Sequence, residues 1–336
     1  MENKETKLAA VVVTYNRLEK LKTTLSYYEK QTASCDHLVI VNNCSTDGTE
    51  EYLSEWEKKE ASFKKHVIKT PSNIGGAGGF HTGMEYALGL EVDWIWVGDD
   101  DAYPDSSAFA LFYDYVAHHN CDGISAICSS VSLPNGERSW EHRSRLVKGF
   151  RWKRLNCEKH LYEQPEFEFD YTSYVGSIFN VKALRKCGLC IKDFFIYYDD
   201  SEHSLRLHDY GKLICLPAIQ VLHDAPIEIK TPGDVDLSWK LYYEIRNSIY
   251  CYRRHHFVNA LYISQLYYRS YSHLRWMGIY NKVSMQMIKC AISDGWKGRL
   301  GLHSVYKPGF KIHNTIPENP NLLLRLYRKL KSSLTI

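Results

Sequence analysis

Short apolar runs ending in polar clusters recur along the first hundred residues. "LAAVVVT" (8–14) is continuous and β-branched, the pattern of a buried strand, and it leads into the polar "YNR". "LEKLKTTLSYYEKQ" (18–31) places apolar residues at helical spacing, and "HLVIVNNCSTDGT" (37–49) repeats the step from strand to polar loop. "TEEYLSEWEKK" (49–59) reads as a helix and "KHVIKT" (65–70) as a strand. After a glycine-rich loop, "NIGGAGGF" (73–80), "HTGMEYALGL" (81–90) reads as a helix and "VDWIWVGD" (92–99) as the fourth strand. Strands alternating with helices predict an α/β fold with a mostly parallel sheet and crossovers on its faces. Ligands of such sheets gather at the carboxyl ends of the strands. "TYNR", "NNCSTDGT", "NIGGAGGF" and "DDD" (99–101) all fall there.

Beyond this the pattern loosens. The region 125–235 holds "YTSYVGSIFNVKALRKCG" (171–188), "FFIYYDDSEHSLRL" (194–207) and "CLPAIQVLHDAP" (215–226). From 236 the chain is aromatic, basic and helical in pattern, and "NPNLLLRLYRKLKSSLTI" (319–336) sets Leu and Tyr at helical spacing between Arg and Lys. The expected division is a region of strands and helices over 1–235 and a helical region over 236–336. The basic aromatic segments "YCYRRHHF" (250–257) and "LLLRLYRKLKSSL" (322–334) suit an anionic bilayer surface, or packing on the body or on a second subunit of a homo-oligomer.

Composition narrows the class. The chain has 336 residues, 44% hydrophobic and 24% charged, which suits a globular protein with a sizeable core. A net charge of +3 is too near neutral for a general nucleic-acid binder. The N-terminus carries no signal-peptide pattern, and no apolar run approaches the ~18 residues of a spanning helix, so a cytoplasmic protein is expected. Ten cysteines show no framework, and the Cys187–Cys190 pair lacks the second pair of a zinc site, so reduced thiols are expected. The 25 tyrosines and 8 tryptophans fit sugar-binding clefts as well as cores.

Three adjacent carboxylates are costly unless something positive meets them, so Asp99, Asp100 and Asp101 suit a divalent cation, or else a solvated acidic turn. The glycines of "NIGGAGGF" permit close approach of a ligand, or simply flexibility; the run is neither a Walker loop nor a dinucleotide fingerprint. Asp200 and Glu202 are candidates for a general base, although acids are also at home at a helix start, which "DDSEHSLRL" resembles. His223 could ligate a metal or merely pack.

Taken in order, "VVVTYNR", "VNNCSTDGT", "NIGGAGGF", "DDD" and "FFIYYDDSEHSLR" resemble the inverting glycosyltransferases of family two, which have the GT-A fold. The resemblance implies a catalytic domain over 1–235, with a nucleotide-binding half over about 1–105 and an acceptor half over about 106–235. The likeness extends to His223 and to "YYEIRN" (242–247), and the glycine loop and "YYDDSE" are most similar to bacterial galactofuranosyltransferases. The resemblance implies that Thr14, Tyr15 and Arg17 contact the base or diphosphate, and that Asn43 and Asp47 bind the uridine or its ribose. It implies that Gly75, Gly76, Gly78 and Gly79 lie close to the donor. Asp99, Asp101 and His223 would hold Mn²⁺ or Mg²⁺, with Asp100 near the ribose or sugar. Asp200 matches the catalytic base, and Asp199 stands where many relatives carry Glu. Trp140, Tyr174, Asp199 and Glu202 are expected acceptor or sugar contacts.

The donor implied is UDP-galactofuranose, with dTDP-rhamnose the alternative. The acceptor implied is a glycan on a polyprenyl diphosphate at the inner face of a bacterial membrane, as in cell-surface polysaccharide synthesis. A nucleotidyltransferase would need a basic glycine loop where "TYNR" stands. A non-catalytic carbohydrate-binding scaffold would have lost the acids.

Overall fold

The computed structural model describes residues 5–149, 153–225, 237–276 and 282–312; the tail at 319–336, expected to be helical, lies outside them. The chain separates into two compact units, Met1–Pro226 and Ile227–Ile336.

The first unit opens with β1 (Leu8–Thr14), α1 (Leu18–Glu29), β2 (His37–Asn42), α2 (Thr49–Glu57), β3 (Lys64–Lys69), α3 (Gly75–Leu88) and β4 (Trp94–Asp99). It continues through β5 (Ala102–Pro104), α4 (Ala108–His118), β6 (Ile124–Ser132), β7 (Arg143–Val147), β8 (Lys153–Asn156), β9 (Phe167–Phe169) and β10 (Tyr171–Thr172). β11 (Ser177–Asn180), α5 (Val181–Cys187), α6 (Asp199–Leu207) and β12 (Lys212–His223) complete it.

Nine strands form one mixed sheet in the order β3-β2-β1-β4-β11-β6-β12-β5, with β9 alongside β12. β1 to β4 are mutually parallel, whereas β11 runs antiparallel between β4 and β6. The two halves expected within 1–235 therefore share a single sheet. All seven residues of β1 are buried because both of its faces are covered. Leu8, Ala10 and Val12 belong to a core with Leu21 and Leu25 of α1 and Phe109 and Phe112 of α4. Ala9, Val11 and Val13 belong to a second core with Phe80, Met84 and Ala87 of α3.

The expected glycine loop is a correction: Gly75 to Gly79 form the first turn of α3. Glycine is a poor helix former, but here a close approach outweighs propensity. A Cβ on Gly79 would lie 2.5 Å from Val13 Cγ1, and one on Gly83 would lie 2.3 Å from Val11 Cγ1, so these positions let α3 settle onto β1. Gly75 has φ +76° and its Cβ would fall 2.0 Å from the carbonyl oxygen of Phe195. Gly75→Ala should therefore destabilise the protein by about 2 kcal/mol or more in urea unfolding. At Gly76 a Cβ meets open space, and Gly76→Ala should be neutral to slightly stabilising in the same assay.

The second unit contains β13 (Leu237–Ser238), α7 (Lys240–His255), α8 (Phe257–Trp276), α9 (Lys282–Lys297) and β14 (Lys311–Ile312). Its centre is "YYEIRN": the Arg246 guanidinium lies 5.5 and 4.7 Å from the Tyr242 and Tyr243 ring centres and donates to the Gly301 carbonyl at 2.6 Å. Among the described residues no helix is long and apolar enough to cross a membrane.

Candidate functional site

β4 carries Asp99 to the carboxyl edge of the sheet, where the chain turns through Asp100 and Asp101 into β5. β5 pairs antiparallel with the end of β12, setting His223 opposite Ala102. That register brings His223 Nε2 to 3.5 Å from Asp101 Oδ1. One ligand atom from each of Asp99, Asp101 and His223 then lies within 4.8 Å of the others.

The three aspartates have separate surroundings. Asp100 is turned inward and is 3% exposed; it accepts from Thr14 Oγ1 at 2.7 Å and Arg17 Nη1 at 3.1 Å. Thr24 Oγ1 donates to the Asp100 carbonyl at 2.6 Å. Asp101 accepts from the same Arg17 nitrogen at 2.7 Å. Behind it, Asp224 donates its N–H to the Asp101 carbonyl at 2.8 Å and is held by Lys20 and the Tyr103 hydroxyl.

One guanidinium and one imidazole do not balance three acids. Burial, reinforced by Asp101 and Asp100, pushes Asp99 up to about 7. Burial also raises Asp100 to about 6 despite Thr14 and Arg17. Burial opposes ionisation of Asp101 too, but the bond to His223 and the charge of Arg17 outweigh it and hold its carboxyl below the usual range. Burial alone would lower His223, yet Asp101 and Asp99 hold it above its ordinary value. The cluster thus has surplus negative charge and an oxygen–oxygen–nitrogen donor set, a composition that suits Mn²⁺ or Mg²⁺.

A second pair of acids opens α6. Phe195, Tyr197 and Tyr198 precede it with φ of +66°, +65° and +68°, a strained backbone of the kind found at functional sites. Burial, then Asp200, then Asp99 push Asp199 up to about 8, so the two acidic clusters feel each other. Asp200 is half-buried, and Ser201 donates to its Oδ1 through the backbone N–H at 2.5 Å and the hydroxyl at 3.0 Å. Burial raises the Asp200 carboxyl, opposed by Arg154 and by the Ser201 bonds.

Several expected contacts have other partners. Thr14 is 1% exposed and its hydroxyl serves Asp100, so it braces the acidic turn without facing a ligand. Asn43, 2% exposed, accepts from the Ile74 N–H and the Thr70 hydroxyl and donates to Asn73 Oδ1 and the Gly75 carbonyl, clamping the entry to α3. Asp47 accepts from the backbone N–H groups of Leu18 and Thr49, satisfying amides at the starts of α1 and α2. Gly78 and Gly79 are buried against Ile74 and Val13, and Gly75 against Phe195, leaving Gly76 as the one of the four that borders open space.

Glu202 is fully buried and ion-paired with Arg206, whose guanidinium also donates to the carbonyls of Cys187, Gly188 and Leu189. It is a structural acid. Tyr174 is 4% exposed, packed on Phe80 and Phe179 and hydrogen-bonded to His203, so it is core and not a sugar platform. Trp140 is partly buried, edge-on to Tyr162 at 5.3 Å with Arg138 and Lys159 over its ring. Tyr15, 41% exposed, remains open, and the Arg17 side chain is 48% exposed while holding its two acids.

Sequence reading missed Thr24, Lys20, Asp224, Ser201 and Arg154. Asp224 follows His223 directly, which was a usable signal; the others lie on segments whose pattern says nothing of their contacts. Cys290, Asp294 and His303 form another compact group in the second unit. There the Val305 and Tyr306 N–H groups both donate to His303 Nδ1, which leaves the proton on Nε2, facing Cys290, while Tyr242 donates to Asp294. This is a hydrogen-bond network with its imidazole in the wrong tautomer for a metal.

A family model described as glycosyl transferase family 2 matches residues 9–188. Galactofuranosyltransferase GlfT1 of Mycolicibacterium smegmatis is 29% identical over 179 residues, 53% of this chain and 56% of that protein. The enzyme of the same name from Mycobacterium tuberculosis is 27% identical over 202 residues, 59% of this chain and 63% of the relative. The chain thus spans less than two thirds of these curated relatives. The dTDP-rhamnosyl transferase RfbF of Shigella flexneri is 23% identical over 253 residues, 74% of this chain and 80% of that one. Among solved structures, residues 1–349 of Staphylococcus aureus TarS align with TM-score 0.53 at 16% identity, covering 87% of this chain and 80% of that one. The mannosyltransferase PcManGT of Pyrobaculum calidifontis, solved with GDP-Man and Mn²⁺, aligns with TM-score 0.53 at 12% identity, covering 99% and 81%. At these identities the structural likeness is one of fold.

Proposed function

The chain belongs to glycosyl transferase family 2 and has the GT-A fold, and on that premise we propose that it is an inverting, metal-dependent galactofuranosyltransferase. It takes UDP-galactofuranose as donor and a hydroxyl of a glycan acceptor, carried on a polyprenyl diphosphate at the cytoplasmic membrane face. The observation that supports this most is the meeting of Asp99, Asp101 and His223 at the sheet edge, with Asp199, the neighbour of Asp200, close enough to feel the charge of Asp99. The GlfT1 relatives, named as galactofuranosyltransferases, favour this sugar. RfbF, which aligns with more of the chain, favours dTDP-rhamnose as the second reading.

Asp99, Asp101 and His223 would hold Mn²⁺ or Mg²⁺, which supplies Lewis-acid stabilisation of the leaving diphosphate when bound. Arg17, already at the acids and half-exposed, offers its guanidinium to the same phosphates. Asp200 has Oδ1 engaged by Ser201, while no hydrogen bond among the described residues engages Oδ2. Oδ2 takes the proton of the acceptor hydroxyl as it attacks the anomeric carbon opposite the diphosphate, and a single displacement inverts the configuration. Asp199, buried and pushed up to about 8, stays protonated at neutral pH.

Incubating the full chain with Mg²⁺ and a panel of nucleotide sugars, and measuring nucleotide release, tests the donor. UDP release from UDP-galactofuranose above all others is expected; preferential release from dTDP-rhamnose would replace the first reading with the second.

Metal affinity should also depend on pH. Asp99 must lose its proton to coordinate, and with its carboxyl near 7 it is protonated below that value in the metal-free protein. His223, also raised, must be neutral. Calorimetric titration with Mn²⁺ should therefore give affinity that rises between about pH 6 and 8 and then levels, with protons released on binding. A flat profile with no buffer-dependent heat would contradict the proton competition.

A further inference from the structure

Arg154 was not among the expected site residues, yet three contacts bring it to the start of α6. Its Nε donates to Ser144 Oγ at 3.1 Å, its Nη2 to the Glu141 carbonyl at 2.9 Å and its Nη1 to Ser201 Oγ at 3.3 Å, while its guanidinium lies 5.6 Å from the Tyr171 ring centre. Ser144 and Arg154 sit on the antiparallel strands β7 and β8, where Leu146 pairs with Arg154 and Ser144 with Asn156. The diagonal contact between them therefore follows from the register of the hairpin. Ser201, the third partner, is itself spent on Asp200: both its N–H and its hydroxyl donate to Oδ1. The chain of donors runs from Arg154 through Ser201 to one oxygen of Asp200.

We infer that Arg154 is the positioning residue of Asp200: acting through Ser201, it fixes Oδ1 and sets a positive charge beside the carboxylate, so that Oδ2 is presented to the acceptor hydroxyl. The inference rests on the reading of Asp200 as the base. Burial disfavours the charge on Asp200, and its titratable neighbours do not relieve it: Asp199 on its own helix is pushed up to about 8 and Tyr174, from the turn between β10 and β11, is held well above its ordinary value, so both are uncharged at neutral pH. On α6, Glu202 is neutralised by Arg206 and His203 is buried and held well below its ordinary value by that burial. Arg154 is the cation that favours the charged form of Asp200. A lysine could supply the charge but not the three-way fork that fixes its direction.

The test is an NMR pH titration of the full chain with Mg²⁺, labelled with ¹³C at the aspartate γ-carbons, with the Asp200 signal identified by its loss in Asp200→Asn. In Arg154→Gln the Asp200 midpoint should move up by about one pH unit, and Arg154→Lys should restore part of the shift. In turnover assays the acid limb of kcat should move up in parallel while donor KM stays unchanged. Arg154 lies on an exposed strand, so Arg154→Gln should fold; circular dichroism checks this. An Asp200 midpoint unchanged in Arg154→Gln would overturn the inference whatever the donor. A shifted midpoint together with full turnover by Asp200→Asn would instead uphold the contact and overturn the reading of Asp200 as base.

Discussion

Asp200→Asn should lower turnover by about a thousandfold or more while leaving binding of UDP and metal within about twofold of wild type. The amide keeps the shape of the side chain and can still accept from Ser201, whose two donors fix Oδ1, but it cannot take a proton from the acceptor. Because Asp200 is raised above the ordinary carboxylate range, wild-type kcat should fall as pH drops through that raised value, since only the ionised form accepts a proton. Asp199→Asn should do less damage: Asp199 is 8% exposed and pushed up to about 8, so at neutral pH the substitution exchanges one uncharged group for another. Single-turnover assays on both variants, with donor binding measured separately, distinguish the two acids. Equal losses in both would contradict the assignment of the base to Asp200.

Asp101→Ala should weaken Mn²⁺ binding by about a hundredfold or more, with a parallel loss of activity. Asp101 is the hub of the cluster: it is held 2.7 Å from Arg17 and 3.5 Å from His223, and its carboxyl is the one of the triplet kept ionised throughout the neutral range. Removing it deletes one of the three proposed ligands and leaves Arg17 held by Asp100 alone. Asp100→Asn should have a far smaller effect on metal affinity, because Asp100 faces Thr14 and Arg17 and is not part of the ligand group. Calorimetry with Mn²⁺ on the two variants checks this ordering; similar losses in both would contradict the division of labour within the triplet.

The first four strands and their helices are legible in the sequence because β1, β2 and β4 are short apolar runs buried in the sheet and bounded by polar residues, and the half-exposed edge strand β3 keeps a β-branched centre between lysines. The glycine run is not, because its helical state depends on Val11 and Val13 lying beneath it, a contact made only once β1 is in the sheet. The acidic turn and His223 are legible as residue types suited to a metal. Their meeting depends on the pairing of β5 with β12, which no local pattern encodes.

Asn43 and Asp47 show the converse. Polar residues at strand ends suit a ligand and a backbone cap equally well, and here the nearby unpaired amides claim them. Glu202 was misread for a similar reason: its spacing from Arg206 already fits an ion pair one helical turn apart. Arg154 could not be found from the sequence, since its contacts follow from the hairpin register and from where α6 sets Ser201.

Asp99, Asp101 and His223 are proposed to fix a divalent cation against the diphosphate of a nucleotide sugar. Anomalous diffraction from crystals grown with Mn²⁺ and UDP tests it most directly. A manganese peak within coordination distance of Asp101 and His223, bridged to the UDP phosphates, is the predicted result; UDP bound at the sheet edge with no metal at these side chains would contradict it.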